Sequence, residues 1–305
     1  MSVTPSPATE EASGAEATAG PARVEQSKRS GKGRWIVNAL LLALSLFWLV
    51  PVIGLLISSI RPRDQVLNTG WWTVFTNPLE FTQQVTVENY VEVLEAGMGP
   101  AFVNSFVVAV PATVIPILAA AFAAYAFSWM RFPGREPLFV LVIMLLVIPL
   151  QVAFVPLLRM FVGMGIQGSF LSIWLAHSTF GMPLAVYLLR NYIGSLPREV
   201  IESAKVDGAS QFQVFWRLVL PLSLPALAAF VIFQFLWTWN DFLVAAVFLE
   251  PRVLTVELVN LVSAMGAEWH LLMAGAFVTM IVPVTVFFAL QRFFVRGMTA
   301  GAVKG

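Results

Sequence analysis

Six stretches of this sequence are each long enough and apolar enough to cross a lipid bilayer as a helix: 35–60, 101–130, 138–161, 169–191, 223–248 and 271–294. A hydrocarbon core ~30 Å thick needs ~20 mostly apolar residues per helical crossing. Within it, only helices and closed barrels satisfy their own backbone. The expected fold class is therefore an all-α membrane protein with six transmembrane helices. The bulk composition agrees, with 58% apolar and 11% charged residues, against about 25% charged in soluble domains. Several spans contain prolines (Pro51, Pro111, Pro116, Pro149, Pro156, Pro183 and Pro283). Packed membrane helices tolerate these as kinks.

Residues 1–34 are rich in Ala, Ser, Pro, Glu and Gly and contain no aromatic residue. Such a segment buries too little apolar surface to offset its ordering entropy, so it reads as a disordered tail. It does not read as a signal peptide, because the stretch 35–60 is too long for an h-region and lacks a small-residue cleavage site. Residues 35–305 form the membrane domain.

Basic residues set the expected orientation. With six spans both termini share one side. That side carries Arg23, Lys28, Arg29, Lys32, Arg34, Arg131, Arg135, Arg190, Arg198, Lys205, Arg217, Arg292, Arg296 and Lys304, and the other only Arg61, Arg63, Arg159 and Arg252. Fourteen against four is a positive-inside bias that puts both termini in the cytoplasm. Two loops, 61–100 and 249–270, then face outward. The first holds WWTVF (71–75) and ENYVEVLEAGM (88–98), an amphipathic stretch that reads as an interfacial or lid helix. The second holds Glu250, Glu257, Glu268 and Trp269. These faces are the expected docking surface for a soluble partner.

The most informative segment is the cytoplasmic loop between the fourth and fifth spans, 194–222. Pro197 suits the first turn of a helix, with Ser195 as its cap. Gly208 suits a left-handed C-terminal position. Ser210 and Gln213 have capping-box spacing for a second helix, and Pro221 is expected to stop it. The product is helix, bend, helix, with small residues that admit another surface closely.

Within it, Glu202-Ser203-Ala204, Asp207-Gly208-Ala209 and Leu220-Pro221 resemble the EAA loop of ABC importer permeases, with Ser203 where that pattern has its second alanine. Trp239-Asn240-Asp241 and the ending Phe294-Val295-Arg296-Gly297 through Gly305 are similar to the carbohydrate-uptake, maltose-type branch. Trp174-Leu175-Ala176-His177 and Leu189-Arg190-Asn191-Tyr192 lean toward α-glucoside permeases. The resemblance implies a type I importer permease fold and a non-catalytic transport subunit in a bacterial-type plasma membrane. It also implies a coupling loop (Glu202, Ser203, Ala204, Asp207, Gly208, Leu220, Pro221) seated in a cytosolic ATPase dimer. The other implied partners are a second homologous permease and an extracytoplasmic sugar-binding protein. Loop 249–270 would enter that binding protein and help dislodge the sugar.

The sequence has no phosphate-cradling Gly-x4-Gly-Lys-Ser/Thr loop, so ATP hydrolysis is expected on a partner chain. It has no cysteine and two distant histidines, His177 and His270. Neither a metal, a cofactor nor a catalytic site is expected, and a net charge of +1 gives no reason to expect nucleic acid. Polar residues inside spans are functional candidates, which selects Asn104, Gln151, His177, Gln234, Asn240 and Asp241, with Trp237 and Trp239 as aromatic faces for a sugar. Their competing role is interhelical hydrogen bonding. Two other functions fit a polytopic chain less well. A secondary transporter would want inverted repeats and midplane carboxylates, yet Asp241 is the only acid within a span. A membrane enzyme would want a clustered acid, base or nucleophile. A non-sugar ABC importer is the remaining alternative.

Overall fold

A computed structural model of the chain describes residues 31–265 and 268–302. Residues 1–30, 266–267 and 303–305 lie outside the described residues. Two compact units divide between Val50 and Pro51. The described part of the first is the amino-terminal portion of α1 (Gly31–Ser59), whose residues 34–50 are all exposed. The helix starts at Gly31 and so takes in the last four residues expected in the tail.

The second unit continues from the end of α1 into α2 (Arg63–Asn68), a 3-10 turn (Trp71–Phe75), α3 (Pro78–Gln84) and α4 (Glu88–Val93). Asn89 Nδ2 donates to the carbonyls of Ser59 and Arg61 at 2.8 and 2.9 Å, strapping α4 to the end of α1. Arg61 folds back onto α2, donating to Gln65 Oε1, Thr69 Oγ1 and Thr73 Oγ1. Burial pushes its guanidinium below the usual arginine range.

A π turn (Leu94–Met98) joins α4 to α5 (Gly99–Trp129), with Gly97 at φ +126°. The stretch 88–98 is thus no free lid. Val93 and Met98 are fully buried and pack with Trp239, Leu254 and Leu271, because its apolar face has a partner in the bundle.

Next come α6 (Arg135–Met144), a 3-10 turn (Leu145–Val147) and α7 (Leu150–Gly163). The expected single span 138–161 is two helices meeting at 105°. Pro149 has no N–H and forces Ile148 into extended backbone (ψ 120°). Then α8 (Phe170–Gly194) packs along α5. Buried Ala120, Ala121 and Ala124 of α5 cluster there with buried Ala185 of α8. Small side chains let the two backbones approach, as membrane helices require in place of hydrophobic drive.

The remaining elements are α9 (Arg198–Val206), α10 (Gln211–Val214), a π turn (Phe215–Val219), α11 (Leu220–Leu222), α12 (Leu224–Trp239), α13 (Leu243–Phe248), α14 (Leu254–Met265) and α15 (Trp269–Ala302). Pro221 does not stop the second helix of the loop. The π turn absorbs its missing N–H, and the helix runs to Leu222 before bending by 72° into α12. The expected fifth span, 223–248, ends early at Trp239, and residues 240–242 break it before α13. Among the described residues there is no strand, only a single bridge between Gly168 and Leu249. The helix directions create two ends, one carrying α9–α11 (the α9 end) and one carrying α13 and α14 (the α14 end).

Candidate functional site

The α9–α11 loop is built from local signals. Ser195 is not the cap of α9; its Oγ donates to the Tyr192 carbonyl and closes α8, and Pro197 occupies the cap position. The end of α9 is a Schellman turn: Gly208 N donates to Lys205 O (3.1 Å) and Ala209 N to Ala204 O (3.0 Å). Gly208 sits at φ +82° with open space where a Cβ would stand, so the backbone alone demands glycine there. The capping box forms: Ser210 N donates to Gln213 Oε1 (2.8 Å) and Gln213 N to Ser210 Oγ (3.3 Å). Beneath, Ile201, Val214 and Phe215 are buried against Leu189, Ile193 and Tyr125, and Tyr125 Oη donates to Gln211 Oε1.

What this scaffold presents outward is unusual for a helix turn. Val206 is 87% exposed and Phe212 65%. Between them Ala204, Asp207, Gly208, Ala209, Gln213 and Arg217 line a shallow cleft of about 400 Å³. Glu202 and Ser203 stand exposed on the same helix, and among the described residues no side chain pairs with Glu202. Leu220 and Pro221 lie beyond the π turn and outside the cleft.

The interior candidates separate into two groups. Gln234 is buried between α5 and α8. Its Nε2 donates to the Ala112 carbonyl (3.2 Å), and it presses so closely on Gly181 that an added Cβ would meet it at 2.6 Å. It opens, with Thr179, Phe180, Phe233 and Trp237, onto a mostly apolar cleft of about 340 Å³ at the bend between α6 and α7. His177, Trp239 and Asp241 instead surround a separate cavity of about 10 Å³ with Ser105, Val108 and Thr238. Trp239 is buried, stacks on Phe235 and donates to Thr279 O at 3.1 Å, which ties α12 to α15. Asp241 caps α13, accepting from Val244 N (3.4 Å) and Ala245 N (3.0 Å). Asn240 Nδ2 turns back to Leu236 O, and Gln151 stands exposed on α7; neither lines a cleft.

Residues 112–300 match the family described as "Binding-protein-dependent transport system inner membrane component". Over 273 residues the chain is 56% identical to the osmoprotective compounds uptake permease protein GgtD of Synechocystis, covering 88% of this chain and 91% of that one. It is 43% identical to the alpha-glucoside transport system permease protein AglG of Rhizobium meliloti, covering 89% and 97%. Among solved structures, a chain of the bacterial alginate ABC transporter in complex with alginate pentasaccharide-bound periplasmic protein superposes with a TM-score of 0.61 at 16% identity. That alignment covers 87% of this chain and 96% of the other. The chain belongs to this family. It is an ABC importer permease subunit, and the resemblance read from Glu202 to Pro221 and from Trp239 onward points the same way.

For this permease, several residues of the interior went unselected in the sequence. Thr113, Ser178 and Thr238 are buried on the α5, α8 and α12 faces that also hold Gln234 and His177, and their hydroxyls have no hydrogen-bond partner among the described residues. Thr179, also unselected, lines the larger cleft together with Trp237, one of the two expected aromatic faces. The available signal was spacing. Residues 178 and 181, and residues 234 and 238, stand three and four apart, on one helical face each.

Proposed function

We propose that this permease forms half of the translocation pathway for a carbohydrate, an α-glucoside or similar small saccharide, and receives ATPase motion through the α9–α11 loop. The observation that carries the reading is that loop's outward face. An unpaired Glu202 stands among small residues, flanked by exposed Val206 and Phe212 on a turn locked by Gly208. An exposed apolar patch beside a shallow cleft is the mark of a protein contact. A turn anchored through Ile201 and Phe215 can pass rigid-body motion to α8 and α12. The partners in this reading are a cytosolic ATPase dimer, a second and different permease, and an extracytoplasmic binding protein. The charge bias supports both termini being cytoplasmic, with the α14 end outward.

The carbohydrate assignment draws support from the 43% relative named for alpha-glucoside transport. The larger cleft supplies an amide at Gln234, a hydroxyl at Thr179 and aromatic faces at Phe233 and Trp237, the groups that recognise sugars. The residues proposed to meet substrate are therefore Gln234 and Trp237. The 56% relative favours a second reading, uptake of an osmoprotective compound. Binding and uptake measured across mono- and disaccharides and osmoprotective solutes decide between them. Uptake confined to non-carbohydrate solutes rejects the first.

In the outward loop 249–270, α14 is rooted: Leu254 N donates to Ser105 Oγ (2.9 Å) and Glu257 pairs with Arg252 (3.2 Å). In this reading the segment beyond that root reaches the binding protein. Shortening around Ser263–Gly266 should leave basal ATP hydrolysis in place while binding-protein stimulation and uptake fall together. Unchanged stimulation would remove the role.

A further inference from the structure

The small cavity at the end of α12 has a composition that packing alone does not explain. His177 is completely buried on α8, and neither ring nitrogen is paired with a protein group among the described residues. Thr238 Oγ1 on α12 is likewise buried and unpaired. Asp241 Oδ2 lies 3.7 Å from His177 Nε2, beyond hydrogen-bond reach. Ser105, the other polar lining residue, is already committed to Leu254 N. The remaining walls, Val108, Ala245 and Val253, are apolar. The space is about 10 Å³, close to the least that holds one water, and the polar groups around it supply the two to four partners such a water requires.

We infer that His177 is a positioning residue: through one bridging water shared with Thr238, its imidazole holds the Asp241 carboxylate over the start of α13 and so fixes the break at 240–242. A neutral imidazole has one donor and one acceptor, so a ring nitrogen can serve the water while the ring packs edge-on to Trp237 (5.1 Å). Asp241 is the junction of several elements. It caps α13 through Val244 and Ala245, and its carbonyl accepts from Thr255 Oγ1 on α14 at 2.6 Å. Linking it to His177 joins α8, which carries Thr179 and Gly181, to α12, which carries Gln234 and Trp237. Those helices are two walls of the larger cleft. The bridge therefore sets the spacing of that cleft from its α14 end, without His177 touching anything that passes through.

The test is hydrogen exchange over 243–248 in the assembled transporter, with uptake measured beside it. His177→Phe fills the same space without polar atoms. It should speed exchange at Val244 and Ala245 by about fivefold to tenfold, as loss of one buried hydrogen bond implies, and lower uptake per ATP hydrolysed. His177→Gln restores a donor and an acceptor and should recover most of both. If the Phe variant assembles poorly, Thr238→Val, nearly isosteric, should produce the same local increase in exchange. Wild-type exchange in the variant that assembles, or a Gln variant no better than Phe, overturns the inference. A failure of sugar uptake in the wild-type complex would count against the proposed substrate but leave the exchange result to stand on its own.

Discussion

The α9–α11 loop and the α8–α12 interior handle polar side chains in opposite ways. In the loop, Glu202, Ser203, Asp207 and Gln213 are exposed, while Ile201, Val214 and Phe215 anchor the underside. In the interior, His177, Ser178, Gln234 and Thr238 face inward, and each keeps a polar atom that no described group pairs. A polar group left at a surface costs little, whereas one buried unpaired costs about 1–3 kcal/mol. The loop can therefore be an interface that waits for a partner. The interior groups are held at a stability cost, and membrane-buried polar residues persist mostly for function. In the proposed function, two regions of one permease thus separate contact from passage.

The sharpest break of that comparison is Glu202→Ala. The side chain is exposed and unpaired within the chain, so membrane level and melting temperature should stay at wild type. Uptake should fall on the order of tenfold or more, as when one partner of a charge pair buried at an interface is removed. Equal uptake at equal membrane level would take Glu202 out of the coupling contact.

Next is Gly208→Val, which forces a branched side chain to φ +82°. Left-handed backbone costs about 1–2 kcal/mol for such a residue, near a tenfold effect on the turn's population. Uptake should drop accordingly, and Gly208→Asn, which tolerates that conformation, should keep most of it. Similar losses in both variants would show that the bend is not what matters.

Gln234→Leu tests the other side. It removes an amide whose Oε1 is unpaired and whose Nε2 makes one bond to Ala112 O. The Ala112 carbonyl has no helical partner, because Pro116 lacks an N–H, so stability should fall by about 1–3 kcal/mol, while specific activity falls a few-fold. A loss of stability with full specific activity would make Gln234 structural. The smallest effect belongs to Ser210→Ala. Losing the capping box should cost about 1 kcal/mol locally and reduce uptake less than twofold, measured against exchange at Phe212 and Gln213.

The loop was legible because its determinants lie within a few residues of each other. Gly208 announces its left-handed turn, and Ser210 with Gln213 announces the second helix. The exceptions were Ser195, claimed by the end of α8, and Pro221, which a π turn accommodates; both depend on what the chain does just outside the motif. Four spans were legible by length and hydropathy, and six if each bent helix pair is one span. The break at 240–242 was not, because it contains neither Pro nor Gly. It forms where Asp241 finds the free amides of α13 and the hydroxyl of Thr255. The interior face was hidden for a similar reason. Thr113, Ser178 and Thr238 become a polar surface only when α5, α8 and α12 are packed, so sequence alone could select Gln234 and His177 but not assign them to different cavities.

In the proposed function, the exposed tip of the α9–α11 loop meets a cytosolic ATPase. The chain has no cysteine, so Val206→Cys, at a position 87% exposed, introduces one addressable thiol. The decisive measurement is site-specific crosslinking from that thiol in membranes containing the whole transporter, with a membrane-impermeant thiol reagent applied from each side as the companion. The expected result is a single crosslinked product containing the ATPase, protection from the reagent when the ATPase is present, and labelling only from the cytoplasmic face when it is stripped away. Labelling from the outer face, or a thiol that remains freely reactive with the ATPase bound, would contradict it.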